Sequence, residues 1–320
     1  MKSDFFAKVQ VYPVAGRLHY TQVSAQPTPP SVDWQPDGFE DFIDRMVQAR
    51  KLNAPVIVFL GSRVLQVGLQ PYLIDLVEQG WVTHVATTGA ANEYDIDVAM
   101  RGVTDLSESF SDDLSHFGMW KETGDVVHKA LALGFHEGKG YGESIGEYIT
   151  LHQEQFPHRE KCLIYHTYLK NIPYTCHITI GLDEVHVHPE VDFAVLGGSS
   201  GIDFKIFCKG ITRLEEGIFL NFGSTVTGVE VFLKALSIAR NLGYTVKHIT
   251  TANFDVVRLG DYHQKVGYED WEYYYRPRKN VVHRPTSLGG KGFHFEAEHQ
   301  LSIPTIWREL TSRGGELRGS

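Results

Sequence analysis

"GIFLNFGSTVTGVEVFLKAL", residues 217–236, is the stretch on which the fold turns. Its apolar run, Ile218-Phe219-Leu220, stops at Asn221-Phe222-Gly223-Ser224-Thr225, and a helical spacing of apolar residues begins at once. A buried strand that ends in small hydroxyl-bearing residues just before a helix faces the ligand crevice of an open α/β sheet. Gly, Ser and Thr let an anion approach backbone N–H groups at the helix N-terminus. Turn and cap chemistry selects the same residues, so one junction decides nothing.

The pattern recurs along the chain, in "FLGSR" (59–63), "ATTGAA" (86–91), "VLGGSSG" (195–201), "NFGSTVTG" (221–228) and "ITTANFD" (249–255). Working outward, "PVIVFL" (55–60), "WVTHVATT" (81–88), "YTCHITI" (174–180), "DFAVLG" (192–197), "GIFLNF" (217–222) and "TVKHITT" (245–251) are expected as strands. Helical spacing is expected over 38–52, 68–80, 121–170 and 226–242. Strands that alternate with helices and are apolar on both faces predict a doubly wound α/β fold with a mostly parallel sheet. The carboxyl ends of such strands share one side, where a phosphate-bearing ligand such as a dinucleotide fits. The G-x-G-x-x-G fingerprint is missing from the first strand–helix junction, so a nucleotide would be held by Ser and Thr side chains and scattered amides.

Pro27, Pro29, Pro30 and Pro36 mark residues 1–37 as an extended arm. Residues 38–310 read as a single α/β domain, without repeats or a linker-like composition shift, and 311–320 as a frayed, flexible tail. The 320 residues carry a formal charge of -9 and a pI near 6.0, which argues against a general nucleic-acid or anionic-membrane binder. Three cysteines without CxxC spacing argue against a disulfide framework and a structural zinc site. The start "MKSDFFAKVQVYP" lacks an apolar h-region, and the run "APVIVFLG" is too short to span a bilayer, so a cytoplasmic protein is expected.

"GSRVLQVGLQPYLIDLVEQGWVTHVATTGAANEYDIDVAM" (61–100) resembles the nucleotide-binding half of deoxyhypusine synthase. The shared features are a Ser-bearing turn at Ser62, a Gly-led helix at Gly68, a strand ending in Thr87-Thr88-Gly89-Ala90, and an acidic cluster from Glu93 to Asp95. "KNIPYTCHITIGLDEVHVHP" and "GIFLNFGSTVTGVEVFLKAL" follow in the family's order, so the outline covers about residues 50–255. The resemblance implies a Rossmann-like parallel sheet, NAD at the strand ends and a homotetramer built from dimers. It places the cofactor on Gly61, Ser62, Thr88, Gly89, Ala90, Gly223, Ser224, Thr225 and Asp255. The family's catalytic Trp-Gly-Lys segment is missing; Trp271 and Lys279 are the nearest residues and are differently spaced. Gly223-Ser224-Thr225 stands where the family has a His-bearing turn, and Tyr94 replaces a second carboxylate.

Candidate chemical groups follow. Glu93 and Asp95, after a strand end, suit a general base or an amine contact, and equally suit a helix N-terminus. "DEVHVHPE" gathers Asp183, Glu184, His186, His188 and Glu190; if extended, it sets His186 and His188 on one face, fit for proton transfer or a metal. Asp183, Arg276 and Lys279 are candidate substrate contacts, the last two from the basic segment "YYYRPRKNVVHRP" (273–285), which suits a phosphate or carboxylate. "VLGGSSG" matches G-x-S-x-G around Ser199, with Asp255 and His263 later in the order of a serine hydrolase. The leading expectation is an NAD- or nucleotide-binding enzyme acting on a small amine or hydroxyl substrate through Glu93, Asp95 and His186. The rivals are a serine hydrolase at Ser199 and a non-catalytic ligand-binding protein.

Overall fold

The computed structural model describes residues 5–16, 20–105 and 114–318. In chain order the first half contains β1 (Tyr20–Gln22), α1 (Phe39–Lys51), β2 (Val56–Leu60), α2 (Ser62–Gln66), α3 (Gln70–Glu78), β3 (His84–Thr88), α4 (Gly89–Arg101), β4 (Val103–Asp105), α5 (Lys121–His136) and α6 (Tyr141–Leu151). The second half contains α7 (Leu163–Leu169), β5 (Tyr174–His177), α8 (Phe193–Ile211), β6 (Ile218–Phe222), α9 (Thr227–Asn241), β7 (Thr250–Asp255), α10 (Trp271–Tyr274), β8 (Lys291–Glu296) and α11 (His299–Arg318).

β2 and β6 are buried along their whole length, which is why their sequences run apolar without alternation. They sit side by side at the centre of a six-stranded, fully parallel sheet in the order β5-β3-β2-β6-β7-β8. From β2 the chain works outward to β3 and β5; from β6 it works the other way to β7 and β8. The order therefore reverses between β2 and β6, and in open α/β sheets ligands bind outside the carboxyl ends of the strands at such a switch point. β1 and β4 form a separate antiparallel pair that ties part of the N-terminal arm to the end of α4. Residues 1–4 and 17–19 of that arm, and 106–113 of the following polar loop, lie outside the described residues.

Alternate residues of each strand feed two cores. Val58, Leu60, Leu220, Phe222, Phe254, Phe293 and Phe295 meet α1, α3 and α11 through Phe42, Met46, Val77, Ile303 and Ile306. Ile57, Phe59, Phe219 and Ala86 meet α8 and α9 on the opposite face. There Phe219 and Phe232 stack at 3.6 Å between ring centres, and burial of each ring contributes about 1.5–3 kcal/mol.

The structure corrects several sequence expectations. "DFAVLG" is not a strand but the first turns of α8: the Asp192 carboxylate accepts from Ala194 N at 2.8 Å and Val195 N at 3.1 Å and starts a helix. A six-residue apolar run fits a strand or a buried helix equally, and the cap decides. The helical stretch 121–170 is divided into α5, α6 and α7, with Gly138 at φ +77° in the first break. The strand expected over 245–251 begins only at Thr250 and runs on through Asp255, so "ITTANFD" is the strand itself rather than the turn after it. β8 was not expected from the sequence, and α11 continues through Arg318 into the stretch read as a tail, while 319–320 lie outside the described residues. No helix among the described residues is long and apolar enough to cross a membrane.

Candidate active site

Backbone packing shapes the crevice floor. Gly61 follows β2, and its N–H donates to Phe222 O at 2.8 Å. A Cβ on Gly61 would stand 2.7 Å from the Gly223 carbonyl oxygen, so glycine is required for the two loops to meet. Gly223 follows β6 at φ +67°, and a Cβ there would lie 2.5 Å from His299 Nε2. His299 opens α11, is buried, and its Nδ1 has no hydrogen-bond partner. Burial lowers its pKa, partly opposed by Asp255 and Glu298, so the ring is neutral near pH 7. Asp255 at the end of β7 accepts from the Tyr275 hydroxyl at 2.7 Å. Ser62 begins α2, Arg63 is exposed beside it, and Thr225 is exposed in the β6–α9 loop. Ser224 is otherwise engaged: its Oγ accepts from Gly228 N at 2.8 Å and caps α9.

Beside the crevice, the N-terminus of α4 carries a protein carboxylate. Asp183, from the loop after β5, accepts from Ala90 N at 3.0 Å through Oδ1. Its Oδ2 would be 1.9 Å from a Cβ on Gly89. The expected phosphate cradle at Thr88-Gly89-Ala90 is therefore closed by Asp183, because a helix N-terminus attracts any carboxylate within reach. Burial raises Asp183 to about 6.

"DEVHVHPE" is not extended. Glu184–Val187 form a 3-10 turn with a reciprocal cap between Asp183 and His186. His186 Nδ1 accepts from Gly181 N and Asp183 N, each at 3.2 Å, so the ring proton sits on Nε2. That buried Nε2 stands 3.7 Å from Asp183 Oδ2, and neither atom has a hydrogen bond. His188 points elsewhere, with Nε2 3.4 Å from Asp125 Oδ1 and its ring against His128, so the two histidines do not share a face.

Glu93 lies in the same nest and accepts from Val185 N at 3.2 Å. Burial, then the nearby Glu184 and Asp183 carboxylates, hold its pKa well above the carboxylate range. Trp120, Thr123 and Glu184 pack beside it and leave no cavity large enough for a water molecule. The nest thus gathers Glu93 and Asp183, whose protonated forms burial favours, and His186, whose neutral form burial favours, a set whose groups can exchange a proton.

Asp95 is not part of this nest. Its oxygens accept from Leu163 N at 3.1 Å, Ile164 N at 2.8 Å and Cys162 Sγ at 3.2 Å, so it caps α7 from a fully buried position. Ser199 is likewise corrected. It lies within α8, fully buried, and not on the strand–turn–helix elbow that exposes a hydrolase serine. Arg276 is exposed, its Nε 3.5 Å from Glu230 on α9, and Lys279 rests on the Tyr273 ring at 4.2 Å. The sequence reading missed His299 and Arg63; Gly223 was the only hint, since its contact with His299 joins distant parts of the chain.

No family model matches the chain, and no curated protein matches its sequence. Solved structures match over most of its length at low identity. The cyanobacterial arginine dihydrolase ArgZ superposes with TM-score 0.53 and 17% identity, covering 86% of this chain and 32% of that one. A LOR/SDH-type protein from Methanococcus maripaludis superposes with TM-score 0.52 and 15% identity, covering 89% and 74%. AgrE in its ternary complex with ornithine and NAD+ superposes with TM-score 0.51 and 12% identity, covering 88% and 33%. This chain therefore spans about a third of the length of the ArgZ and AgrE chains. An Entamoeba histolytica protein of the deoxyhypusine synthase type matches only at TM-score 0.41 and 11% identity, too weakly to bear on family membership. The likenesses establish a Rossmann-like α/β fold with a parallel sheet flanked by helices.

Proposed function

We propose that this chain is an enzyme that binds NAD, or a closely related nucleotide, across the β2/β6 switch point and acts on a small amine- or hydroxyl-bearing substrate. The observation that carries this is the cradle at that point. Gly61 and Gly223 bring two strand ends into backbone contact, and the Nε2 edge of the buried His299 ring stands against Gly223. Such a floor admits a flat, phosphate-linked ligand close to the backbone. AgrE, solved as a ternary complex with ornithine and NAD+, supports the same ligand classes on this fold.

The residues present fit the group. Gly61, Gly223 and Thr225 form the floor, the His299 ring lines it through its Nε2 edge, and Arg63 supplies positive charge at the rim. When bound, NAD supplies a hydride acceptor. The protein's own part is orientation and proton transfer. Glu93 hydrogen-bonds a substrate heteroatom, and the Asp183 carboxylate, beside His186 Nε2–H, takes the proton from that heteroatom and becomes neutral. Without Trp-Gly-Lys, no lysine is assigned to a covalent step. Homotetramer assembly is part of the same proposal and rests on the deoxyhypusine synthase resemblance alone.

The test is calorimetric titration of ligand-stripped protein with NAD. Saturable one-site binding is expected in the parent chain. Thr225→Glu, at an exposed position, should weaken it about tenfold or more by placing a carboxylate beside the phosphates. A folded parent chain that shows no saturable NAD binding would remove the cofactor and this function with it.

A further inference from the structure

A second concave site lies away from the crevice residues. The segment after β7 folds through α10 into a π-helical turn, Arg278–His283, which packs against β7 and α9; Thr251 Oγ1 donates to Val281 O at the back of this turn. Between the turn and the preceding loop is an open pocket of ≈ 190 Å³, lined by Lys265, Val266, Glu272, Tyr273, Arg278, Lys279 and His283. None of these residues belongs to the strand-end floor.

Its charge is unusual for an acidic protein. Lys265, Arg278 and Lys279 face a single lining carboxylate, Glu272, which leaves an excess of two positive charges. Arg278 is only 4% exposed. One of its terminal nitrogens donates to Gln264 O, and its Nε lies 3.1 Å from Glu272 Oε2 without satisfying a hydrogen bond. Asp261 is nearby, but its oxygens take His263 N and Gln264 Nε2. The Nε2 of His283 is buried and has no partner. Burial, then Arg278, His263 and Lys265, depress the pKa of His283, while the Tyr262 backbone opposes them. A guanidinium and two ammonium groups around one hollow repel one another unless an anion enters, and the neutral His283 ring adds an unpaired Nε2.

We propose that this pocket is a binding site for a small phosphate monoester, separate from the dinucleotide crevice. A dianion cancels the excess charge, whereas a carboxylate leaves half of it. Arginine and lysine suit the three phosphate oxygens, and His283 Nε2 gains the partner it lacks. The pocket is larger than a phosphate, and Val266 with the Tyr273 ring offers an apolar wall for the organic remainder. This site does not depend on NAD occupying the crevice.

The experiment uses the full chain with phenyl phosphate, inorganic phosphate and benzoate, read by calorimetry and by the His283 ring protons in NMR. Phenyl phosphate is expected to bind at one site, more tightly than inorganic phosphate, and benzoate about tenfold more weakly or worse. The His283 resonance should shift on saturation. Lys265→Ala/Lys279→Ala removes two surface ammonium groups without touching the buried Arg278. It should weaken phenyl phosphate by roughly ten- to thirtyfold. NAD in excess should not displace the phenyl phosphate. Unchanged affinity in the double variant, benzoate binding as tight as phenyl phosphate, or displacement by NAD would each overturn the proposal. The last outcome would place the phosphate in the crevice instead.

Discussion

Removing the Asp95 carboxylate separates a structural from a catalytic role. Asp95 accepts two backbone N–H groups, Leu163 N at 3.1 Å and Ile164 N at 2.8 Å, in a site with no solvent exposure. Asp95→Ala strands both donors at the start of α7. A buried, unsatisfied donor costs about 1–3 kcal/mol. Loss of a helix cap costs about 0.5–2 kcal/mol by a separate measure of the same event. Burial also raises the pKa of Asp95, so removing a disfavoured charge returns part of the loss. A net destabilisation of about 2–4 kcal/mol follows. For a 320-residue chain, an unfolding entropy of about 2.1 cal/mol/K per residue gives about 0.7 kcal/mol/K, so Tm should fall by about 3–6 °C. Urea denaturation should show a lower midpoint at an unchanged slope. Asp95→Asn keeps one acceptor and should recover part of the loss. An Asp95→Ala protein with parental Tm would refute the capping argument and restore Asp95 as a reactive group.

The remaining predictions concern burial and access. Burial raises Asp203 to about 8 and Asp183 to about 6, above their unfolded values, so the native state holds these protons more tightly and stability should fall as pH rises from about 4 to 8. Asp203→Asn, which mimics the protonated acid, should flatten that slope in denaturation curves recorded across this range; an unchanged slope would show that Asp203 is not its source. Ser199→Ala should leave stability within about 1 kcal/mol, and a fluorophosphonate should not label Ser199 in the native chain; stoichiometric labelling would revive the hydrolase. Gly228→Ala should destabilise by about 1–3 kcal/mol in the same urea assay, because its Cβ would stand 2.5 Å from the Phe59 ring where α9 crosses β2; a neutral result would mean the helix slides freely.

What the sequence by itself determined was the alternation of buried strands and amphipathic helices, hence the doubly wound class, and the glycine at the end of each central strand. Those signals are local. "PVIVFL" and "GIFLNF" are apolar on both faces because both faces are covered, and Gly61 and Gly223 end them because backbone must approach backbone. Strand β8 was illegible because "KGFHFE" alternates weakly and follows glycines that read as loop. α8 was misread because its apolar start fits either element, although Asp192 before it was a usable cap signal. Only the tertiary structure decided the roles of the acids. Asp95 and Glu93 are neighbours in sequence, yet α4 turns one toward α7 and the other toward the loop after β5. Asp183 closes the helix end that the local pattern offered to a phosphate, and His299 reaches Gly223 from the far end of the chain. Hydrogen-bond partners and desolvation are set by what folds against a side chain, and sequence spacing does not carry that information.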